Sequence, residues 1–373
     1  MKIKNKGCIL YKFLIIIGLI ILLFFICISF NNKLDVYKLD FKYDQINNYL
    51  DKYKDYEIEM IRSIDNKIYG TIYDSSKNGD LFITIGEFIY DYDLDSFEFY
   101  EHNDYSRVVD FYKYNNKIYK IILEIYDNDS SYYIWKIVTD DAKSNSPIAS
   151  GIINNIFMYP LIIVDNNNFY VAALIQNLND NEEFILYHIE NDKINKIYSF
   201  NNFSNNSDKR TVYDIANMKI INNHFVYTYV NSELNQYLID YNIKNNREKV
   251  LYVNKDDSYS IYSYLYSKNY KYLQLVSRSV ENTAKILIMD NDNNEFILKS
   301  KILTFERYIN GNVISHNSGN LWNLIDIKNQ KKYDIRLSKN INFFPKYLNI
   351  NNKIIALGYD NVIYSSDIIV NSN

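Results

Sequence analysis

Cysteine is nearly absent from this 373-residue sequence, and its two copies, Cys8 and Cys27, both lie close to the N-terminus. Residues 31–373 contain none. This excludes a disulfide, a thiolate metal site and a cysteine nucleophile from that part of the chain. A segment of ~300 residues is long enough to be stabilised by its hydrophobic core alone.

Histidine is also rare, with four copies at His102, His188, His224 and His316. None of them belongs to an HxxxH or HExxH pattern, so the sequence predicts no zinc site. His188 and His224 fall within apolar runs that resemble strands, and we interpret them as structural residues. His102 and His316 are predicted to lie in loops.

Glycine and proline are scarce, at 9 and 3 copies. So few glycines leave little room for a phosphate-binding loop, and neither a GxxxxGK[ST] motif nor a GxSxG nucleophile elbow occurs. The sequence therefore predicts no catalytic, cofactor-binding or metal-binding residue and no cofactor, and it favours a protein that is not an enzyme.

One acidic segment, DNDNNE at 290–295, begins like a calcium loop, with Asp290, Asp292 and Asn294 at positions 1, 3 and 5. Position 6 is Glu295 instead of glycine, and position 12 is Lys301 instead of glutamate, so the EF-hand pattern fails. The segment is predicted to be the turn between the third and fourth strands of a repeat.

The abundant residues point to strands. The chain has 39 tyrosines and many isoleucines, and both residue types favour β-structure. We attribute this richness mainly to an AT-rich coding sequence; a tyrosine-rich surface for carbohydrate binding is the alternative. The formal net charge of −4 supplies no basic surface for nucleic acid.

Residues 13–30 form an uncharged run of eighteen residues, which is long enough to span a bilayer as a helix. Four lysines and no acid precede it, so the positive-inside rule places a tail of residues 1–12 in the cytoplasm and the C-terminal part outside. Two alternatives stay open, namely a cleaved signal peptide and lipidation at Cys27. All three interpretations place the C-terminal domain outside the cytoplasm.

Residues 31–60 are predicted to be a juxtamembrane stalk. Ile46, Tyr49, Leu50 and Tyr53 follow the i, i+3, i+4, i+7 spacing of an amphipathic helix, which could pack on the following domain or lie on the membrane. The alternative is an irregular segment that leads into a strand at 57–63, and that strand could close the following domain by pairing in its last repeat.

Residues 61–373 contain a repeat in which an Asn-rich turn precedes an apolar pair. The pairs are Ile68-Tyr69, Ile118-Tyr119, Phe169-Tyr170, Phe225-Val226, Tyr272-Leu273, Val313-Ile314 and Ile354-Ile355. Each pair is followed by a second apolar run, whose third position holds Tyr90, Trp135, Leu186, Ile239, Leu287, Trp322 and Ile363. Because Trp135 and Trp322 share this position, we predict that they pack in the core and do not stack on a ligand. Matched apolar positions separated by polar turns are typical of repeated hairpins.

Seven units of roughly 40–56 residues match the size of a four-stranded propeller blade. The pattern "NNKIY … I-x-x-Y-D" resembles that of TolB-like and related bacterial β-propellers, although the WD dipeptide, the YWTD motif and the Asp-box are missing. This resemblance covers about residues 61–373. The resemblance implies an all-β fold, a β-propeller, and the seven repeat units predict about seven four-stranded blades. The apolar run at 13–30 predicts a single N-terminal transmembrane helix ahead of them. Six or eight blades and a pair of sandwiches are the alternatives.

The sequence leaves three functions open. We favour a membrane-anchored, extracytoplasmic propeller that acts as a binding or scaffold module for a protein, peptide or glycan of the cell envelope. The second is a propeller hydrolase acting on glycan or peptide, which needs a cluster of acidic or arginine side chains at one end of the channel. The third is a purely structural surface protein.

Overall fold

The structure, a computed structural model, describes residues 38–369 apart from short gaps. The gaps are at 75, 77–82, 103–105, 127–128, 140–146, 154–158, 166–167, 177–181, 191–192, 203–209, 213–214, 216–217, 257, 267–269, 280–283, 291, 293, 301–303, 310–311, 317–321, 327–330, 338–342 and 351–352. The tail of residues 1–12 and the apolar run at 13–30 lie outside the described residues. Within the described part, no helix is both long and apolar enough to cross a membrane.

The described chain begins with two short strands and one helix. These are β1 (Lys38–Leu39), β2 (Lys42–Tyr43) and α1 (Asn47–Leu50), and α1 continues as a 3-10 turn over Asp51–Tyr53. The predicted stalk therefore contains a short helix and, before it, strands that belong to a sheet.

Five separate four-stranded sheets follow in chain order. Sheet 1 is β3 (Glu57–Ile64), β4 (Lys67–Asp74), β5 (Ile83–Asp91) and β6 (Ser96–Glu101). Sheet 2 is β7 (Ser106–Tyr114), β8 (Lys117–Tyr126), β9 (Asp129–Thr139) and β10 (Ala149–Ile153). Sheet 3 is β11 (Leu161–Asp165), β12 (Asn168–Gln176), β13 (Glu182–Glu190) and β14 (Lys193–Asn202). Sheet 4 is β15 (Lys219–Ile221), β16 (His224–Val230), β17 (Gln236–Asn242) and β18 (Arg247–Asn254). Sheet 5 is β19 (Tyr259–Tyr266), β20 (Tyr270–Ser277), β21 (Ala284–Asp290) and β22 (Glu295–Ser300).

The remaining strands form one nine-stranded sheet together with β1 and β2. Its first four strands, which we call sheet 6, are β23 (Thr304–Ile309), β24 (Asn312–His316), β25 (Trp322–Asp326) and β26 (Lys331–Leu337). The last three, which we call the closing unit, are β27 (Phe343–Ile350), β28 (Lys353–Gly358) and β29 (Ile363–Ile369). In each unit the strands are joined as an antiparallel meander.

The sheets follow one another around a ring. The first strands of neighbouring units lie against each other where β3 meets β7, β11 meets β15 and β19 meets β23, and β27 returns to β3. Apolar side chains of the first sheet and of the closing unit share one core cluster, which includes Ile58, Ile68, Leu348 and Ile355. The predicted all-β propeller is therefore confirmed.

The seven apolar pairs occupy the same strand of every unit, since each lies near the start of the second strand. Most of their side chains are buried between neighbouring sheets, as Ile68, Phe169, Phe225 and Ile355 illustrate at 0% exposure. A two-sided sheet cannot shield both faces alone, and radial stacking shields them. The repeat inferred from the sequence is thus the repeat of the fold.

The second apolar run lies in or next to the third strands, but its register varies between sheets. Trp135 is paired with Leu123, the seventh residue of β8, whereas Trp322 is paired with His316, the fifth residue of β24. The predicted equivalence of the two tryptophans is therefore inexact. The connection between the second and third strands differs in length, and only the face of the sheet is fixed by burial.

The Asn-rich turns have a direct physical cause. Asp65 and Asn66 have φ of 49° and 61°, and Asn115 and Asn116 have φ of 48° and 60°. Two successive residues with positive φ form the type I′ turn that suits the twist of a two-residue hairpin. Asn and Asp tolerate this conformation better than other residues with a side chain, so they replace the scarce glycine.

The N-terminal segment closes the ring. β1 pairs antiparallel with β29 and parallel with β26, and β2 also pairs with β29. Asn47 of α1 donates its Nδ2 to the carbonyl of Ile363 at 2.6 Å and accepts the amide of Ile363 on Oδ1 at 2.9 Å. The strand at 57–63, the sequence-based candidate for this closure, is instead the first strand of sheet 1.

The predicted stalk helix packs on the propeller. Ile46 and Leu50 are buried in the core cluster shared by sheet 1 and the closing unit, with Tyr49 and Tyr53 packed against it. The Tyr49 ring stacks on Phe97 at 5.3 Å. The helical spacing thus indicated a real apolar face. Among the described residues, β-structure is present from Lys38, ahead of the predicted domain boundary at residue 61.

The number of complete blades is smaller than the predicted seven. Sheets 1 to 6 give six four-stranded blades, whereas β27–β29 are only three strands and are joined to β26 through β1. The physical reason is that the fourth position beside β29 is filled by two strands of two residues each, and one of them also pairs with sheet 6.

Candidate functional site

A cleft opens at the end of the propeller where the type I′ hairpins gather. It has a volume of about 540 Å³ and is walled by the ends of β3, β7, β11 and β15, the first strands of four consecutive sheets. Its walls include Arg62, Tyr112, Lys113, Ile163 and Lys219. We call it the channel cleft. Clefts of several hundred Å³ are typical sizes for ligand sites.

One register position contributes to the cleft from each of these strands. Arg62, Tyr112, Ile163 and Lys219 are each paired with the second residue of the repeated apolar pair on the next strand of their sheet. Further around the ring, Tyr264, Arg307 and Leu348 occupy the matching position of β19, β23 and β27. Equivalent backbone positions around a ring lie at similar depth, so these residues form one layer of the channel.

β-Bulges in two of these strands, β3 and β7, change the direction in which the following side chains point. The register shifts between Met60 and Arg62 in β3 and between Val108 and Asp110 in β7. A bulge adds one residue to a strand and re-aims the side chains that follow it. Arg62 and Asp110 are the first paired residues after their bulges, and they meet between sheets 1 and 2.

Arg62, Asp110 and Tyr112 form a compact polar group. The Arg62 guanidinium donates Nε and Nη2 to the two oxygens of Asp110, both at 2.8 Å, and the Tyr112 hydroxyl donates to Asp110 Oδ2 at 2.8 Å. The guanidinium also lies 4.0 Å from the centre of the Tyr112 ring. Burial alone would lower the pKa of Arg62, but the hydrogen bonds and charge of Asp110 raise it. Burial and the Asp110 charge both raise the pKa of Tyr112.

Neighbouring hairpins are tied together at the rim of the cleft. Lys113 Nζ contacts Asp65 Oδ2 between the first two sheets. Asp165 Oδ2 accepts the backbone amide of Asn223 at 3.0 Å between the third and fourth sheets. These contacts hold the turns of successive sheets in fixed relative positions, which favours a preformed cleft.

Lys219 differs from the other cations of the cleft. Its Nζ donates to the carbonyl oxygen of Tyr264 at 3.0 Å and lies 5.7 Å from the centre of the Tyr264 ring. Among the described residues, no carboxylate is paired with it. Burial lowers the pKa of Lys219 to about 8.

A second, smaller cavity of about 350 Å³ lies between sheets 1 and 2 and is lined by Tyr69, Glu87, Tyr100 and Lys120, among others. Glu87 is 2% exposed. One of its oxygens lies 2.6 Å from Lys120 Nζ and the other 2.8 Å from His102 Nε2. Burial would raise the pKa of Glu87, but the hydrogen bonds and charges of His102 and Lys120 hold it below its usual range.

The other histidines have structural partners or strand positions. His188 lies 5.0 Å from the Tyr170 ring, and His224 Nδ1 lies 2.8 Å from Asp240 Oδ1. Both are in strands, as predicted. His316 ends β24 and is not in a loop, because the turn lies after it.

Two further predictions concern core tryptophans and the acidic turn. Trp135 and Trp322 are fully buried, which confirms that they are core residues. Asp290 accepts the amides of Asp292 and Asn294 at 2.9 and 2.8 Å, so the acidic segment is the predicted turn between the third and fourth strands of sheet 5. Within the described residues, no group of three or more His, Cys, Asp or Glu side chains could hold a metal ion.

The comparisons with known proteins identify the architecture. No family model matches the chain, and no curated protein matches it by sequence. Solved structures do match: a prolyl endopeptidase at TM-score 0.54 and 7% identity, the polysaccharide lyase Uly1 at 0.53 and 10%, and a puromycin-hydrolyzing peptidase of Mycobacterium tuberculosis at 0.51 and 6%. At these identities the likeness concerns the fold alone.

The extent of each match differs between the lyase and the peptidases. The matches cover 89%, 84% and 82% of this chain, in the order given above. They cover 90% of the lyase, but only 53% and 50% of the two peptidases. The chain therefore spans about half the length of the peptidases that it resembles.

No site residue was predicted from the sequence, yet the sequence contains a signal for the cleft layer. Arg62, Tyr112 and Lys219 each precede the first residue of a type I′ turn by three positions, at Asp65, Asn115 and Asn222. Counting back from the repeated turn therefore finds the cleft layer. The spacing alone does not identify these residues as a site, because neither composition nor spacing shows which repeat position faces the axis.

Proposed function

We propose that the protein is a membrane-anchored, extracytoplasmic binding module that holds a segment of an envelope glycan in the channel cleft. The observation that carries this proposal is the cleft itself, an open space of about 540 Å³ on a rigid ring, walled by four sheets and lined by both charged and apolar side chains. Loops and turns held by a rigid scaffold are frequent places for binding.

A glycan is favoured over a peptide by two considerations. The lyase acts on a polysaccharide and is matched over 90% of its length, whereas the peptidases are matched over about half of theirs. The cleft also combines charged side chains with apolar ones, a mixture that suits sugar rings bearing hydroxyl groups. Fold likeness alone is a weak guide to function, so the test must be direct.

The membrane anchor at 13–30 and the extracytoplasmic location of the C-terminal domain are parts of the same proposal. They are supported by the uncharged run and its lysine-rich N-terminal flank. Protease added to intact cells should digest the C-terminal domain and leave the N-terminal tail protected. Protection of the whole chain would overturn this location.

We also propose that the closing unit, completed by β1 and β2, is a seventh blade. The antiparallel pairing of both short strands with β29 and the contact of β27 with β3 support it. An N-terminal segment that completes the last blade would join the two ends of the chain and remove an exposed strand edge.

The binding test uses the full chain in lipid nanodiscs and an array of neutral and acidic oligosaccharides. Ile163→Trp should fill the cleft and weaken binding by at least about tenfold, because one lost contact of 1.4 kcal/mol has that effect. Leu94→Trp is the matched control, since Leu94 is 75% exposed on a turn of sheet 1. Equal binding by wild type and Ile163→Trp would reject the cleft as the site, and binding of peptides alone would reject a glycan ligand.

A hydrolase or lyase is the second candidate, and one observation favours it. Two ion pairs, Arg62 with Asp110 and Lys113 with Asp65, lie between sheets 1 and 2 near the channel cleft, and acidic and arginine side chains near one end of the channel are what such an enzyme requires. Turnover of an oligosaccharide by wild type, abolished in Asp110→Asn with binding retained, would establish this function. Unchanged oligosaccharide after long incubation would support the binding module.

A further inference from the structure

The three cations of the channel cleft differ in how their charges are compensated. Arg62 is paired with Asp110 in a two-pronged contact, and Lys113 is paired with Asp65. Each pair is close to neutral as a unit. Lys219 has only a carbonyl oxygen and an aromatic ring as partners among the described residues. The described part of the cleft therefore carries one uncompensated positive charge at Lys219.

The ring repeat shows what Lys219 lacks. Arg62 and Tyr112 stand at matching positions of neighbouring sheets, and so do Lys219 and Tyr264. In both pairs a cation from one sheet lies near the tyrosine ring of the next, at 4.0 and 5.7 Å. The two pairs are thus two copies of one arrangement on different sides of the channel.

The difference between these copies is a carboxylate. Asp110 is paired with Ile121 in sheet 2, and the matching residue of sheet 5, the partner of Leu275, is Ile261. By register, sheet 5 thus has an apolar residue where sheet 2 has the aspartate that pairs with Arg62. Ile261 packs against the core and supplies no counter-charge, so an anionic ligand in the cleft could supply it to Lys219.

We propose that Lys219 binds an anionic group of the ligand, specifically a carboxylate such as that of an acidic sugar. This inference rests on the proposed function, because Lys219 belongs to the same cleft. An ammonium that is partly removed from water gains most from a charged hydrogen-bond acceptor. The carbonyl of Tyr264 holds the amine in place and leaves its other donors for the ligand.

The protonation of Lys219 gives this site a pH dependence. Burial disfavours the ammonium form and lowers its pKa to about 8, whereas a bound carboxylate favours that form and raises the pKa. Affinity should therefore be high below pH 8 and fall above it. The charged groups that share the cleft are Arg62, Lys113 and Asp65, and the Tyr264 ring lies beside the amine.

The experiment follows the lysine directly. The full chain is labelled with 13C at the lysine ε-carbons and placed in nanodiscs, and the ε-carbon resonances are recorded against pH. One resonance should titrate with a midpoint near pH 8 and be absent from Lys219→Met. Galacturonate should move this midpoint upward, and galactose, which has the same ring without the carboxylate, should leave it unchanged.

Binding measurements with variants complete the test. Lys219→Met should weaken trigalacturonate binding at pH 7 by about tenfold or more, as expected for a hydrogen bond to a charged group. Lys219→Arg should retain most of the affinity. Lys196→Met is the control, since Lys196 lies on β14, the outer strand of sheet 3, and pairs with Glu183 of β13. In the titration, an upward shift of the Lys219 midpoint with trigalacturonate but not with galacturonate would assign the site to a polymer-borne carboxylate. A shift of the midpoint with both would include free acids among the ligands.

Failure of this inference is distinguishable from failure of the proposed function. If acidic and neutral oligosaccharides bind equally, and Lys219→Met binds both as wild type does, the carboxylate site is rejected while the glycan-binding cleft stands. If galacturonate shifts the Lys219 titration but no oligosaccharide binds, the site stands and glycan binding is rejected. An absent or anion-insensitive titration near pH 8 would also overturn the inference.

Discussion

At the scale of single residues, this protein uses asparagine at turn positions where glycine is the common residue. The turns between strands require positive φ angles at many positions, but the chain has only 9 glycines. Among the described residues other than glycine, Asn and Asp hold most of the positive-φ positions. Asparagine tolerates the left-handed conformation because its short amide makes local hydrogen bonds. The abundance of asparagine therefore has a structural use, whatever its genetic cause.

Asn116 offers a test of this role. Its φ is 60°, so Asn116→Val should lower the free energy of unfolding by about 1–2 kcal/mol, because a β-branched side chain is strained in this region. Asn116→Gly is the control and should change stability little. Chemical denaturation of both variants checks this, and equal stabilities for Val and Gly would contradict the turn assignment.

At the scale of elements, the contacts between sheets combine apolar packing with a few buried ion pairs. Tyr69 packs on Phe111 at 5.4 Å between sheets 1 and 2. Glu87 lies in the same contact and reaches Lys120 of the next sheet. Such a pair adds little net stability, but removal of one partner leaves a buried charge.

Glu87→Gln should therefore destabilise the protein at pH 7 by about 3 kcal/mol, since Lys120 would lose its counter-charge. Because the folded-state pKa of Glu87 is lowered, its stabilising contribution is present above the ordinary glutamate pKa of about 4.3 and is lost as the pH falls through the lower folded value. Unfolding curves from pH 7 to pH 3 should thus be flatter for Glu87→Gln than for wild type. Glu101→Gln, at an exposed position of the same sheet, should follow wild type, and an equally steep loss in Glu87→Gln would refute the assignment.

At the scale of the whole molecule, stability depends on how the ring is closed. Phe41 lies between β1 and β2, is 1% exposed and contacts the Trp322 ring at 6.0 Å. It belongs to one core cluster with Leu39, Ile335 and Ile354, which come from β1, sheet 6 and the closing unit. This cluster joins the first described residues to the last third of the chain.

Phe41→Ala should reduce the free energy of unfolding by about 3–5 kcal/mol, the usual cost of removing a buried phenylalanine. Amide exchange in β26 and β29 should increase together, because both strands lose the same neighbour. Tyr43→Ala is the matched control in the same segment, since Tyr43 is 54% exposed. Similar small losses in both variants would show that this segment does not close the ring.

The strand repeat, the hairpin turns, the core tryptophans and the helical face at Ile46 and Leu50 could all be predicted from the sequence. These features are encoded locally, by residue conformations at the turns and by apolar spacing within each unit. Tertiary structure alone decided which segment closes the ring, how many complete blades there are, and that Arg62 meets Asp110 while Lys219 meets no carboxylate among the described residues. These features depend on pairing between segments as far apart as Lys38 and Ile369, and on bulges that re-aim side chains. Local sequence patterns record neither of these.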